Sequence, residues 1–199
     1  MIGFEVERHL GGYWNLKTPW GDPFNWAPTI WNKIIKDFSI GKVLDIGCGL
    51  GFSTAYFSNK GLYAVGVEGG INAINNSVFE GYLIRNDYTK SSANVGEFDL
   101  VWCCMMVQQV EHQYIQNVLE DFKCGKYLAV VHAEPGEEGH HYVNCKTREE
   151  WIATIESSGF TYDAEYTEVL RDMARGLMSN SSFQHGHNLH KIMFFVRHE

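Results

Sequence analysis

Along this chain, short unbroken apolar runs take turns with longer stretches that are apolar on one side only. The unbroken runs are Lys42–Ile46, Leu62–Val67, Tyr82–Arg85, Phe98–Cys103 and Lys126–His132. Such runs predict strands buried on both faces of a parallel sheet. The one-sided stretches predict helices. Ala27–Phe38 carries Ile30, Trp31, Ile34, Ile35 and Phe38 on one side, and Ile71–Val78 carries Ile71, Ile74 and Val78. The pattern is also helical over Phe52–Asn59 and Ile115–Phe122. Another helix is predicted to start at Thr147, because Thr147 and Glu150 have the spacing of a capping box. It presents Trp151, Ile152 and Ile155 on its apolar face and ends at Ser158-Gly159.

Beyond that helix, Phe160–Leu170 alternates enough to predict a sixth strand. Arg171–Asn188 is polar, with Gly176, Asn180, Ser181 and Ser182, and reads as a long mobile loop. Leu189–Val196 reads as the last strand. Strands alternating with helices predict an α/β fold. The length of 199 residues predicts one domain over 1–199. Its first 40 residues read as an aromatic-rich cap followed by the first helix. Pro19, Gly21, Asp22 and Pro23 break any regular element there, so Trp14 and Trp20 sit in irregular sequence.

Charge and cysteine usage narrow the function. The chain has 16 Lys and Arg against 24 Asp and Glu, a net charge of −8 with no basic cluster, so no nucleic-acid partner is expected. Cys48, Cys103, Cys104, Cys124 and Cys145 are odd in number and form no C-x-x-C pair, which predicts reduced thiols in a cytoplasmic setting. No leader segment is read at the N-terminus, and no apolar run approaches the length of a membrane span.

The chemistry concentrates in Val43-Leu44-Asp45-Ile46-Gly47-Cys48-Gly49-Leu50-Gly51-Phe52-Ser53-Thr54. A strand, a glycine turn and a helix start are the parts of a nucleotide-type site, with backbone N–H groups expected free for the ligand. The spacing is Asp45-x-Gly47-x-Gly49-x-Gly51, not the G-x-G-x-x-G of a dinucleotide site. Glu68 closes the next predicted strand, where an acid can accept from both ribose hydroxyls.

These features resemble the first two motifs of class I S-adenosylmethionine (SAM) methyltransferases. The resemblance runs over about residues 30–199. It implies a Rossmann-like three-layer α/β/α sandwich around a mostly parallel seven-stranded sheet whose last strand is antiparallel. It also implies SAM as cofactor, held by Asp45, Gly47, Cys48, Gly49 and Gly51, with Glu68 and Gly69 at the ribose. Asp87 and Tyr88 match the family's adenine position. Phe98-Asp99-Leu100-Val101 resembles its fourth motif and brings Cys103 and Cys104 toward the cofactor, with Met105 toward the methyl acceptor. The stretch from Pro135-Gly136 through His140-His141 to Val143-Asn144 resembles small bacterial and phage methyltransferases acting on small molecules. Trp14, Trp20, Met105, Gln109 and Asn144 are therefore the expected acceptor contacts.

Many relatives carry an acid and then a Glu-His pair after the fourth motif. This chain has Met105, Gln108 and Gln109 there, and amides cannot act as bases. Glu111-His112 comes slightly later and is expected at the surface. The proton candidates are His140, His132 and His141, in that order, since histidine titrates near neutrality. A zinc-type set of His132, Glu134 and His140 or His141 is a competing reading, which the sparse carboxylates disfavour. The expected function is methyl transfer from SAM to a hydroxyl or amine of a small molecule or sugar. The alternative is a protein that binds SAM without transferring its methyl group.

Overall fold

The apolar run Lys42–Ile46 becomes β1, with β2 (Tyr63–Glu68) on one side and β4 (Phe98–Cys104) on the other, both parallel to it. The structure, a computed structural model, describes Leu10, residues 25–180 and residues 188–198. Trp14 and Trp20 lie outside the described residues. β3 (Tyr82–Arg85), β5 (Gly125–Val131), β6 (Phe160–Tyr162) and β7 (Met193–Arg197) complete a seven-stranded sheet in the order β3-β2-β1-β4-β5-β7-β6. β7 alone runs against its neighbours, pairing antiparallel with β5 and β6.

Helices cover both faces, which is why the inner strands are apolar without alternation. α1 (Pro28–Asp37), α2 (Phe52–Asn59) and α6 (Ala164–Asn180) lie on one face. There Ile30, Trp31, Phe57, Leu170 and Ala174 pack on Val43, Leu100, Trp102 and Phe194. α4 (Ile115–Phe122) and α5 (Arg148–Glu156) lie on the other, where Val118, Leu119, Trp151 and Ile155 meet Leu44, Val101, Cys103 and Leu128. The short α3 (Ile71–Asn75) links β2 to β3. The predicted capping box forms: the Thr147 hydroxyl accepts from the Glu150 N–H at 3.2 Å, and Glu150 accepts from the Thr147 N–H at 2.8 Å.

The chain departs from the sequence expectation after Tyr162. The predicted strand Phe160–Leu170 keeps only three residues, and the predicted loop begins as helix α6, which runs to Asn180. Asp163 starts this helix by accepting the Tyr166 N–H at 2.9 Å. The helix is held by Thr167, Leu170, Arg171 and Ala174, all buried on one face. Two of those are polar and find tertiary partners: the Thr167 hydroxyl accepts from the Phe194 N–H, and Arg171 donates to the Ile192 carbonyl at 2.8 Å. The last strand starts at Met193 rather than Leu189, because Asn188–Lys191 forms a 3-10 turn. The helix predicted over Ile71–Val78 stops at Asn75.

The sheet order reverses direction between β1 and β4. In open parallel sheets the crevice for a ligand opens there, beyond the carboxyl ends of the strands.

Candidate active site

A cavity of about 330 Å³ opens at that crevice, within the range of small-ligand sites. Its wall follows the sheet order: Asp87 beyond β3, Glu68 at the end of β2, Asp45 in β1, and Trp102 and Cys104 in β4. Met105, Met106, Gln109, His140 and Tyr142 line it from the loops after β4 and β5, and Trp26 and Trp31 from α1 and its approach.

The glycine loop is built around two buried carboxylates. Asp45 accepts the Ser53 and Thr54 hydroxyls, each at 2.6 Å, and so ties β1 to the first turn of α2. Burial pushes its carboxyl up to about 6, against the pull of those hydroxyls and of the Thr54 N–H. Glu68 accepts the Gly49 N–H on Oε2 at 2.9 Å and the Gly70 N–H on Oε1 at 2.8 Å. Burial raises its pKa as well, while the N–H groups of Gly70, Gly49 and Gly69 oppose the shift.

The sequence expectation of free loop N–H groups is corrected here. Gly47 and Cys48 both donate to the Val67 carbonyl, Gly49 donates to Glu68, and Gly51 donates to the Cys48 carbonyl. The glycines are needed for backbone shape and close packing. At Gly47, with φ of 72°, an added Cβ would lie 2.6 Å from Met106. At Gly51, with φ of 78°, it would lie 2.8 Å from Phe79 and from the Ser77 hydroxyl. The loop presents a rigid wall to the cavity, with Cys48 and Gly69 also on its lining. Burial raises the Cys48 thiol well above its usual range, as do the nearby carboxylates of Asp45 and Glu68, so it stays protonated.

Asp87 lines the cavity and accepts the Thr89 N–H and hydroxyl on one oxygen, with the Lys90 ammonium 3.0 Å from the other. Burial would raise its pKa, but Thr89 and Lys90 outweigh that and hold it at about 2. Tyr88 also borders the cavity, and its hydroxyl donates to Asp121 of α4 at 2.8 Å. Asp121 further accepts the Ala93 and Asn94 N–H groups and so organises the loop after Asp87. Nothing in the sequence marked Asp121, because its partners all lie in another segment.

The remaining candidates divide. Cys104, Met105, Gln109 and His140 reach the cavity. Cys103 does not: it is fully buried under α4 and α5, in the face opposite Cys104. Of the three histidines, His140 is on the cavity wall, and its Nε2 is buried without a partner among the described residues. His132 is fully buried beside Trp151, with ring centroids 6.5 Å apart, and burial lowers its pKa. His141, at φ of 52°, places Nε2 3.5 Å from Glu111. Asn144 is buried away from the cavity wall, and its N–H donates to the Gln108 carbonyl. Gln108 itself is fully buried. Among the described residues, no three His, Cys, Asp or Glu side chains gather as metal ligands. The sequence reading missed Trp26, Trp31 and Trp102 as cavity residues. Alternation along β4 was the available signal, since Trp102 and Cys104 share a face.

Residues 44–123 match the family model described as "Methyltransferase domain". No curated protein matches the chain in sequence. Solved structures share the fold at low identity. The plantazolicin methyltransferase BpumL, solved with a triazolic desmethylPZN analog and S-adenosylhomocysteine (SAH), is 12% identical with a TM-score of 0.61, covering 92% of this chain and 88% of its own. A TehB-like SAM-dependent methyltransferase from Corynebacterium glutamicum is 15% identical with a TM-score of 0.63, covering 92% and 93%. The methyltransferase domain of bacterial CtHen1-C is 13% identical with a TM-score of 0.60, covering 86% and 97%.

Proposed function

We propose that this chain is a class I SAM-dependent methyltransferase that methylates a hydroxyl or amine of a small molecule or sugar, a reading supported by its motifs, by the methyltransferase family model matched over residues 44–123 and by its fold. The observation that carries this reading is the glycine loop clamped onto Glu68 at the edge of a cavity of small-ligand size. The pocket fits SAM in a checkable respect. Each Glu68 oxygen accepts one backbone N–H and keeps lone-pair capacity for a ribose hydroxyl. In this reading Asp87 and Tyr88 border the adenine, while Gly47, Cys48 and Gly69 wall the sugar and tail.

SAM, when bound, supplies a methyl group already activated on a sulfonium. The chain must then orient the acceptor, exclude water and take one proton. Trp102, Met105, Cys104 and Tyr142 supply a largely apolar acceptor wall, and Gln109 can orient a hydroxyl or amine. His140 is the base, because it alone of the three candidate histidines lies on the lining, with its Nε2 buried and unpartnered. Three lining carboxylates, with no Lys or Arg among the described lining residues, disfavour phosphorylated or otherwise anionic acceptors.

The test is methyl turnover. Purified protein is incubated with SAM and a panel of sugars, phenols, amines and their phosphorylated counterparts, and SAH is quantified. SAH formation with a neutral or amine acceptor supports the reading. SAH binding without turnover on any member would favour a SAM-binding protein that transfers nothing. Turnover confined to phosphorylated acceptors would overturn the acceptor class.

A further inference from the structure

We infer that the indole N–H of Trp31 holds the carboxylate of the cofactor's amino-acid tail, making Trp31 a determinant of cofactor recognition. This assignment rests on the SAM reading above. Trp31 is 1% exposed, yet its Nε1 has no hydrogen-bond partner among the described residues. An indole N–H can only donate, and buried donors are ordinarily satisfied, so this one calls for an acceptor. Among the described residues around the ring, none serves as that acceptor. Trp26, Tyr56, Phe57 and Trp102 surround it with aromatic faces and edges at centroid distances of 5.0 to 5.8 Å. The Tyr56 hydroxyl is engaged with Asn32. Trp31 packs otherwise on the apolar core around Ile30, Ile34 and Val43, and it also borders the cavity.

The position fits the tail rather than the nucleoside. With Glu68 and Asp87 at the ribose and adenine, the ligand runs along the strand ends from β3 and β2 toward β1 and β4. Asp45 of β1 stands in register beside Trp102 of β4, and the Trp102 ring meets Trp31 edge-on at 5.8 Å. The tail ends in one ammonium and one carboxylate. Asp45 supplies negative charge for the ammonium. For the carboxylate, the described lining contains no Lys or Arg, so a neutral donor takes that role. A hydrogen bond from a buried N–H to a carboxylate is among the stronger kinds, because the acceptor is charged.

The experiment separates this carboxylate from the rest of the ligand. Wild type, Trp31→Phe and a variant with benzothienylalanine at position 31 are titrated calorimetrically with SAH and with decarboxylated SAH, which keeps the amine. Benzothienylalanine preserves the ring shape and replaces only the N–H, so it serves if Trp31→Phe does not fold. Wild type is expected to prefer SAH by about tenfold or more, and both variants to lose most of that preference while binding the decarboxylated ligand as wild type does. An undiminished preference in the variants overturns the Trp31 assignment and leaves the SAM reading intact. Loss of affinity for both ligands alike assigns Trp31 to packing and also overturns it. Absence of binding by wild type removes the SAM reading and this assignment together.

Discussion

The Glu68 carboxylate accepts the Gly49 N–H at 2.9 Å, which joins the end of the second strand to the middle of the glycine loop. One side chain thereby shapes the loop and faces the cavity. Replacing Glu68 with Ala is expected to weaken SAH binding by about 1–3 kcal/mol, through loss of a charged acceptor for the ribose and of the clamp on Gly49. Calorimetry checks this, and unchanged affinity would remove Glu68 from the ribose.

Gly47 and Met106 meet where a Cβ would intrude at 2.6 Å, on a backbone with φ of 72°. Gly47→Ala is expected to cost about 2–5 kcal/mol, from left-handed backbone strain together with overpacking. Adding Met106→Gly, which removes both the Cβ and the Cγ that the new methyl would meet at 2.6 Å, should relieve the overpacking and leave the strain. A double-mutant cycle by urea denaturation measures the difference. Strict additivity of the two substitutions would contradict the contact.

Asp45 makes stability depend on pH in a stated direction. Its folded pKa of about 6 lies above the ordinary 3.8, so the folded protein binds more protons than the unfolded chain between those values. This contribution is therefore greatest near pH 4 and is lost as pH rises toward 6, by up to about 3 kcal/mol. Asp45→Asn should flatten the stability profile over that window. Identical slopes for the two proteins would show that Asp45 titrates normally. Asp87 acts oppositely and lower on the scale: its folded pKa of about 2 gives stability present above pH 4 and lost as pH falls toward 2.

Tyr88 and Asp121 bind the loop after β3 to α4 through a hydrogen bond of 2.8 Å. Tyr88→Phe should cost about 1–2 kcal/mol by leaving the carboxylate with only the Ala93 and Asn94 N–H groups. Asp121→Ala should cost more, since it orphans the Tyr88 hydroxyl and both N–H groups together. Thermal or urea unfolding ranks the pair, and a reversed order would contradict this account of the loop.

His140 is the residue expected to separate binding from chemistry. His140→Ala should leave SAH affinity near wild type and slow methyl transfer by about 10²–10⁴-fold. Wild-type turnover in that variant would remove it as the base.

The sequence made legible what is decided locally. The strand runs, the glycine spacing and the Thr147–Glu150 box all depend on neighbours within a few residues, and the structure has them where expected. The α6 helix was hidden because its inner face includes Thr167 and Arg171, whose partners at Phe194 and Ile192 lie far along the chain. The fate of the loop N–H groups was hidden for the same reason, since the Val67 carbonyl that receives two of them belongs to another strand. The histidines differed only in tertiary position: His132 and His140 are both polar residues after β5, and only the packing of Trp151 against one of them separates core from cavity wall.

The central claim is that this cavity is a SAM site, and calorimetric titration of the wild-type protein with SAM and SAH tests it most directly. The account predicts saturable binding of both at one site per chain, with SAH binding weakened by Glu68→Ala. Failure of both ligands to bind would contradict it.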